Sequence, residues 1–166
     1  MRIKLIYGSD TGNTELVTED LVKLLGNVEV TTVADLTPED WDYDNFILGI
    51  PTWYDGLLQS SWEEYFDNFR EIDFTNKTVA LFGLGDQIGY AEWFCDGIGI
   101  LAEVIIKNGG KIIGKWSREG YDYIGSKAVL NEDLFYGLPI DEDNEDDLTQ
   151  ERCQKWIEQL KNEING

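Results

Sequence analysis

Two runs, NFILGI at 45–50 and TVALFGL at 78–84, offer almost nothing for water to hold. A strand with one face in solvent alternates apolar and polar side chains, so a strand apolar throughout needs cover on both faces. Each run leads into a segment whose apolar residues recur at helical spacing. These are Trp62, Tyr65, Phe66 and Phe69 after the first, and Phe94, Ile98, Leu101, Ala102 and Ile105 after the second. The alternation extends along the chain. RIKLIY (2–7) precedes Val17, Leu21, Leu24 and Leu25, VEVTTV (28–33) reads as a second strand, and KIIGKW (111–116) reads as a fifth. Cys153, Trp156, Ile157, Leu160 and Ile164 mark a closing helix. Five strands alternating with helices predict an α/β fold with a doubly wound, mostly parallel sheet, in one domain spanning 1–166.

One stretch breaks the rhythm. Gly120, Tyr121, Tyr123 and Gly125 lead to a second strand-like piece, LFYGLP (134–139), which predicts a fifth strand interrupted by an inserted excursion. DEDNEDD (141–147) then places six acids in seven positions. A calcium loop needs Gly where Asp146 stands, and Glu151 falls short of its last ligand position. The expectation is a solvated acidic turn leading to a helix cap at Thr149.

Charge narrows the function. Thirteen basic against thirty-three acidic residues give a net charge of −20, which repels nucleic acid and anionic membrane. It suits docking to a basic protein surface, and equally a solubility-tuned exterior. Cys95 and Cys153 lack the spacing of a redox or metal motif and read as free thiols of a reducing cytosol. The N-terminus shows no signal-peptide pattern, and no apolar run reaches membrane-spanning length. With no histidine, the commonest general base is missing.

Three loops at strand ends carry the chemistry. In YGSDTGNTE (7–15), Ser9, Thr11 and Thr14 supply hydroxyls, Gly12 a tight backbone and Asn13 an amide. The helix starting near Asn13 would aim its free N–H groups at the same place. The loop has no Lys or Arg, so triphosphate chemistry of the P-loop kind is excluded, and a terminal monophosphate fits better. The same residues would also serve an ordinary strand-to-helix turn, and Asp10 counts against an anion unless its carboxylate points elsewhere. The other two loops, PTWYDG (51–56) and GDQIGY (85–90), each set one aromatic, Trp53 or Tyr90, beside Gly and Asp. Two aromatics at neighbouring strand ends can sandwich a flat ring.

Taken in order, GSDTGNTE, IPTWYDG, FGLGDQIGYAEWF, GYDY and LPIDEDN resemble the long-chain flavodoxins over essentially the whole chain. The resemblance implies strand order 2-1-3-4-5 and non-covalently bound FMN. By motif position, Ser9, Asp10, Thr11, Gly12, Asn13 and Thr14 would hold the phosphate. Trp53 would lie on the inner face of the isoalloxazine and Tyr90 on the outer. Pro51, Thr52, Tyr54, Asp55 and Gly56 would edge the flavin, and Leu84, Gly85 and Asp86 its pyrimidine end. Trp93, Asp96 and Asp143 would serve the rim and ribityl side. The Asp55 carbonyl, with Gly56 permitting a peptide flip, would accept the hydrogen on N5 of the one-electron-reduced flavin. Leu57 and Leu58 are expected to pack beneath this loop.

The implied protein is a low-potential one-electron carrier and not an enzyme, a cytoplasmic monomer. It would exchange electrons with a ferredoxin or flavodoxin reductase or a similar basic-faced redox protein. An FMN-dependent quinone or azo reductase on the same fold is the alternative. A phospho-accepting receiver would need an Asp ending the third strand, where ILGIPT stands.

Overall fold

The structure, a computed structural model, describes residues 2–165. Strand β1 (Ile3–Tyr7) leads to α1 (Asn13–Leu25), and β2 (Glu29–Thr32) is followed by β3 (Asn45–Trp53). A two-residue β4 (Leu57–Leu58) precedes α2 (Ser60–Phe69), and β5 (Thr78–Leu84) precedes α3 (Asp96–Lys107). The chain continues through β6 (Lys111–Ile113), β7 (Trp116–Ser117), β8 (Leu134–Phe135) and β9 (Leu138–Ile140) to α4 (Thr149–Asn165). The main sheet runs β2-β1-β3-β5-β6, all parallel, with β9 extending the fifth position beside β5. This is the predicted doubly wound order with an interrupted fifth strand.

Side-chain alternation along the central strands divides the core into two layers. Phe46, Leu48 and Ile50 of β3, with Val79 and Leu81 of β5, pack against Trp62 and Phe69 of α2 and Ile98, Leu101 and Ile105 of α3. Ile47 of β3, with Ala80, Phe82 and Leu84 of β5, packs against Val17 and Leu21 of α1 and Trp156, Ile157 and Leu160 of α4. A run apolar throughout is what such double cover requires.

KIIGKW is not one strand. At Gly114 the backbone takes a φ of +74°, a conformation that favours glycine, and the chain leaves the sheet. Helix α4 catches both groups this frees: the Gly114 N–H donates to Glu163 Oε2 at 2.6 Å, and Trp156 Nε1 donates to the Gly114 carbonyl at 2.8 Å. β7 and β8 form a small antiparallel ladder away from the main sheet, where Phe135 packs against Phe94, Tyr121 and Tyr123. The chain then re-enters as β9, pairing Leu138 with Phe82 and Ile140 with Leu84. The predicted LFYGLP piece is thus shared between two sheets.

The acidic run also departs from expectation. Asp141 is fully buried and accepts from the Gln87 and Asn144 side chains and main chains. Asp141, Asn144 and Glu145 are therefore hydrogen-bonded into the fold, while Asp143, Asp146 and Asp147 stay exposed as a solvated turn would have them. Thr149 is not a cap. The chain enters α4 through a 3-10 turn at Asp146–Leu148, and the buried Thr149 hydroxyl has no hydrogen-bond partner. Cys95 and Cys153 are free and buried, and burial pushes both thiols up, Cys153 to about 12.

Re-entry depends on Gly137, where a Cβ would fall 2.1 Å from the Leu81 carbonyl oxygen. Backbone cannot yield as a side-chain tip can. Gly137→Ala should therefore lower the unfolding free energy by about 1–3 kcal/mol, read from urea denaturation.

Candidate functional site

A cleft of about 280 Å³ opens at the carboxyl ends of β1, β3 and β5. It lies where the winding reverses, because β1 sends its helix to one face of the sheet while β3 and β5 send theirs to the other. Thr11, Asn13 and Thr14 from the first loop line it, with Pro51, Thr52, Trp53 and Tyr54 from the second. Leu84, Gly85, Asp86 and Tyr90 come from the third, and Glu142 and Asp143 from the acidic run. The three sequence-predicted loops therefore share one site. With β3 between them, the first and third loops stand roughly 10 Å apart, two strand spacings.

The first loop is shaped by Gly12, whose φ of +90° starts α1. Its N–H donates to Ser9 Oγ at 2.9 Å, which leaves the Ser9 hydroxyl proton free to donate outward. Gly12 brings no side chain to cap α1. The other two helices that begin beside this region are treated differently. Trp62 N–H of α2 donates to Gln59 Oε1 at 3.2 Å, and Gly97 N–H of α3 donates to Thr52 Oγ1 at 2.8 Å. The helix start left without a side-chain acceptor is the one bordering the cleft, and unpaired helix N–H groups with a positive dipole end suit an anion. Among the described residues, no Lys or Arg lines the cleft.

Asp10 resolves the conflict that its charge raised. Its carboxylate accepts from Gln59 Nε2 at 2.8 Å and from the Ser60 hydroxyl at 2.8 and 3.0 Å, at the start of α2. Burial alone would raise its pKa, but the hydrogen bonds from Gln59 and Ser60 outweigh it and hold the carboxyl below the usual range. Asp10 does not line the cleft, and its carboxylate is engaged by Gln59 and Ser60. Gln59, wholly buried beneath Gly8 and not anticipated from sequence, is the support for this loop.

Strand β3 turns at Tyr54-Asp55-Gly56 into β4, pairing Trp53 with Leu57 and Thr52 with Leu58. Gly56 sits at φ +83° and Tyr54 at +44°. The Tyr54 ring stands edge-on to both Trp53 and Tyr90, with ring centroids 6.0 Å from each. Trp53 and Tyr90 both line the cleft, and Tyr54, which also lines it, touches both rings. Leu58 packs as expected, whereas Leu57 is 57% exposed. Asp55 and Gly56 are outside the cleft lining, as are Ser9 and Gly12.

Trp93 and Asp96, expected at the rim, do not line the cleft itself. They lie under the Gly56 turn, where a Cβ on Gly56 would be 2.7 Å from Asp96 Oδ2 and 3.2 Å from Trp93 Cδ1. Asp96 is 2% exposed and accepts the Lys127 N–H at 2.8 Å. Burial raises its pKa against that hydrogen bond. Both residues carry the turn without lining the site.

The far end of the cleft is acidic. Asp86 organises its loop by accepting from Ile88 N–H at 3.0 Å, Gly89 N–H at 2.7 Å and Asn144 Nδ2 at 2.8 Å. Burial raises its pKa, but these donors win and hold it low. Asp143 is pushed up by burial and then by the charges of Asp86 and Asp141. Glu142 lines the cleft beside it and was passed over in sequence, although it adjoins Asp143 in the same run. Neutral N–H donors at one end and carboxylates at the other give the cleft a polarity that orients an anionic tail toward α1.

Strand order β2-β1-β3-β5-β6, with an uncapped helix start and two aromatic-bearing loops lining one cleft at the switch point, defines a doubly wound α/β protein of flavodoxin-like architecture. The sequence profile of the flavodoxin family matches residues 5–156. A flavodoxin from Haemophilus influenzae is 44% identical, with 98% of this chain and 95% of that protein aligned. One from a Nostoc species is 48% identical, over 98% and 97% respectively. The crystal structure of Fusobacterium nucleatum flavodoxin bound to flavin mononucleotide superposes with a TM-score of 0.93 at 33% identity, covering 98% of both chains. The chain belongs to the flavodoxin family.

Replacing Asp10 by Ala should cost about 1 kcal/mol at pH 7, because buried Gln59 loses a charged acceptor that water only partly replaces. A carboxyl with a lowered folded pKa contributes stability that is complete above its unfolded value and lost as pH falls through the folded one. The difference between Asp10→Ala and the parent should accordingly shrink below about pH 4, read from urea melts across pH.

Proposed function

We propose that this protein is a low-potential one-electron carrier that binds FMN without a covalent bond in the cleft just described, as one unit. The observation that carries the reading is the convergence of an uncapped helix start, free of basic residues, with Trp53 and Tyr90 in a single cleft at the switch point. Bound there, FMN supplies the one-electron chemistry. Ser9, Thr11, Asn13 and Thr14, with the main chain from Asp10 through Gly12, hold its phosphate by hydrogen bonds in place of formal countercharge. Trp53 and Tyr90 cover the two faces of its ring system and exclude water from them. Pro51, Thr52, Tyr54, Leu84, Gly85 and Asp86 edge the ring, and Asp143 and Glu142 close the far side. The carbonyl of Asp55, at the turn that Gly56 makes possible, would accept a hydrogen bond from a protonated nitrogen at the ring edge. Asp86, Glu142, Asp143 and the overall charge of −20 oppose added negative charge on the ring, which favours strong reducing power.

The chain provides no histidine, and this chemistry requires no general base. Redox partners meet it through protein docking. The acidic surface matches a basic-faced reductase of the ferredoxin or flavodoxin type. Exposed Tyr54, Leu57, Ile88 and Tyr90 supply apolar contact close to the cleft mouth. Among the described residues no helix is long and apolar enough to cross a membrane. We place the protein in the cytoplasm as a monomer.

Stepwise potentiometric reduction of the FMN-loaded protein tests the carrier reading. Two well-separated one-electron waves are expected, whereas a single two-electron wave with sustained NADPH oxidation by the protein alone would indicate a quinone or azo reductase. Trp53→Ala should weaken FMN binding by about 1–3 kcal/mol, measured by flavin fluorescence quenching, and an unchanged dissociation constant would remove Trp53 from the ring contact. Electron transfer from a basic reductase should slow as ionic strength rises, and a salt-independent rate would contradict charge-steered docking.

A further inference from the structure

Residues 118–136 make up the excursion, and none of them lines the cleft. One side chain nevertheless joins them to the loop that does. Gln87, next to Asp86 in the 85–90 loop, is 3% exposed, and both ends of its side-chain amide and its main-chain N–H are committed. Its Oε1 accepts the main-chain N–H of Asp122 in the excursion. Its amide nitrogen donates to Asp141 Oδ2 at 2.9 Å and to Glu145 Oε1, and its own N–H donates to Asp141 Oδ2 at 3.1 Å. Glu145 in turn pairs with Arg152 at 3.2 Å, and the Arg152 guanidinium lies 4.3 Å over the Tyr121 ring, back in the excursion. The circuit closes when the Tyr121 hydroxyl donates to the Pro139 carbonyl at 2.8 Å, in the strand beside Leu84.

We propose that Gln87 is a positioning residue through which the excursion sets the geometry of the 85–90 loop, so that FMN binding and excursion order are energetically coupled. The inference rests on the FMN reading above. The physical reason is satisfaction. A buried amide with its acceptor on one segment and its donors on another cannot move without orphaning several groups, two of them buried or half-buried carboxylates. Ordering the loop around a ligand therefore orders the excursion, and by linkage the excursion favours the ligand-ready loop.

The test is amide hydrogen exchange on the full chain, with and without saturating FMN, for the parent, Gln87→Leu and Gln87→Glu. In the parent, FMN should slow exchange across 118–126 as well as in the cleft loops, while 70–77, at the opposite rim of the sheet where β5 begins, stays unchanged and reports against general stabilisation. In Gln87→Leu the protection at 118–126 should vanish while that at 11–14 persists, and the FMN dissociation constant should rise about tenfold, the loss of a hydrogen bond to a charged group. Gln87→Glu lacks the amide protons and sets a third carboxylate against Asp141 and Glu145, which drives the side chain off Asp122, so it should show the same uncoupling if Gln87→Leu fails to fold. Protection in the parent confined to the cleft loops, or surviving at 118–126 in either variant, would overturn the proposal. A parent that takes up no FMN would instead sink the cofactor reading.

Discussion

Burial of β3 and β5 on both faces is the constraint from which the rest of the molecule follows. Their side chains point alternately into the α2/α3 layer and the α1/α4 layer, so neither strand can tolerate an edge position or a polar face. Helices must cover both sides, and parallel strands must be joined by crossovers that carry the chain back to the same end of the sheet. Every loop leaving a strand's carboxyl end therefore arrives at one rim. Where successive crossovers diverge to opposite faces, the loops part and leave a cleft.

In a protein with a net charge of −20, the cleft has no Lys or Arg among its described lining residues, so hydroxyls, an amide and main-chain N–H groups are what its first loop offers an anion. The structure achieves neutrality locally by assigning its capping groups. Gln59 and Asp10 serve α2 and Thr52 serves α3, which leaves the start of α1 available. Asp10 illustrates the economy, since a carboxylate sitting in an anion loop becomes harmless, and useful, once tied to the neighbouring helix.

The departures from expectation share a cause. Thr149 has the residue type of a cap, but a 3-10 turn already carries the chain into α4, so the hydroxyl has nothing to accept from. DEDNEDD has the composition of a solvated turn, yet Asp141 is buried because Gln87, more than fifty residues away, supplies its donors. Trp93 and Asp96 follow the flavin loop in sequence but lie beneath the turn at Gly56. In each case the surroundings decide the role, an adjacent turn for Thr149 and residues distant along the chain for the others, and local residue type does not report it.

The order of apolar runs and helical stripes determined the fold class, the strand sequence and the fact of an interruption, because burial periodicity is a local property of the chain. The three ligand loops were legible for the same reason, since each directly follows a strand. Tertiary structure alone decided that KIIGKW breaks at Gly114, where α4 receives the freed groups, and that Asp10 turns to Gln59 while Trp93 and Asp96 sit under a turn. It also decided that Gln87 joins an excursion to a loop. Those outcomes depend on which distant donor meets which acceptor, and only packing brings the two together.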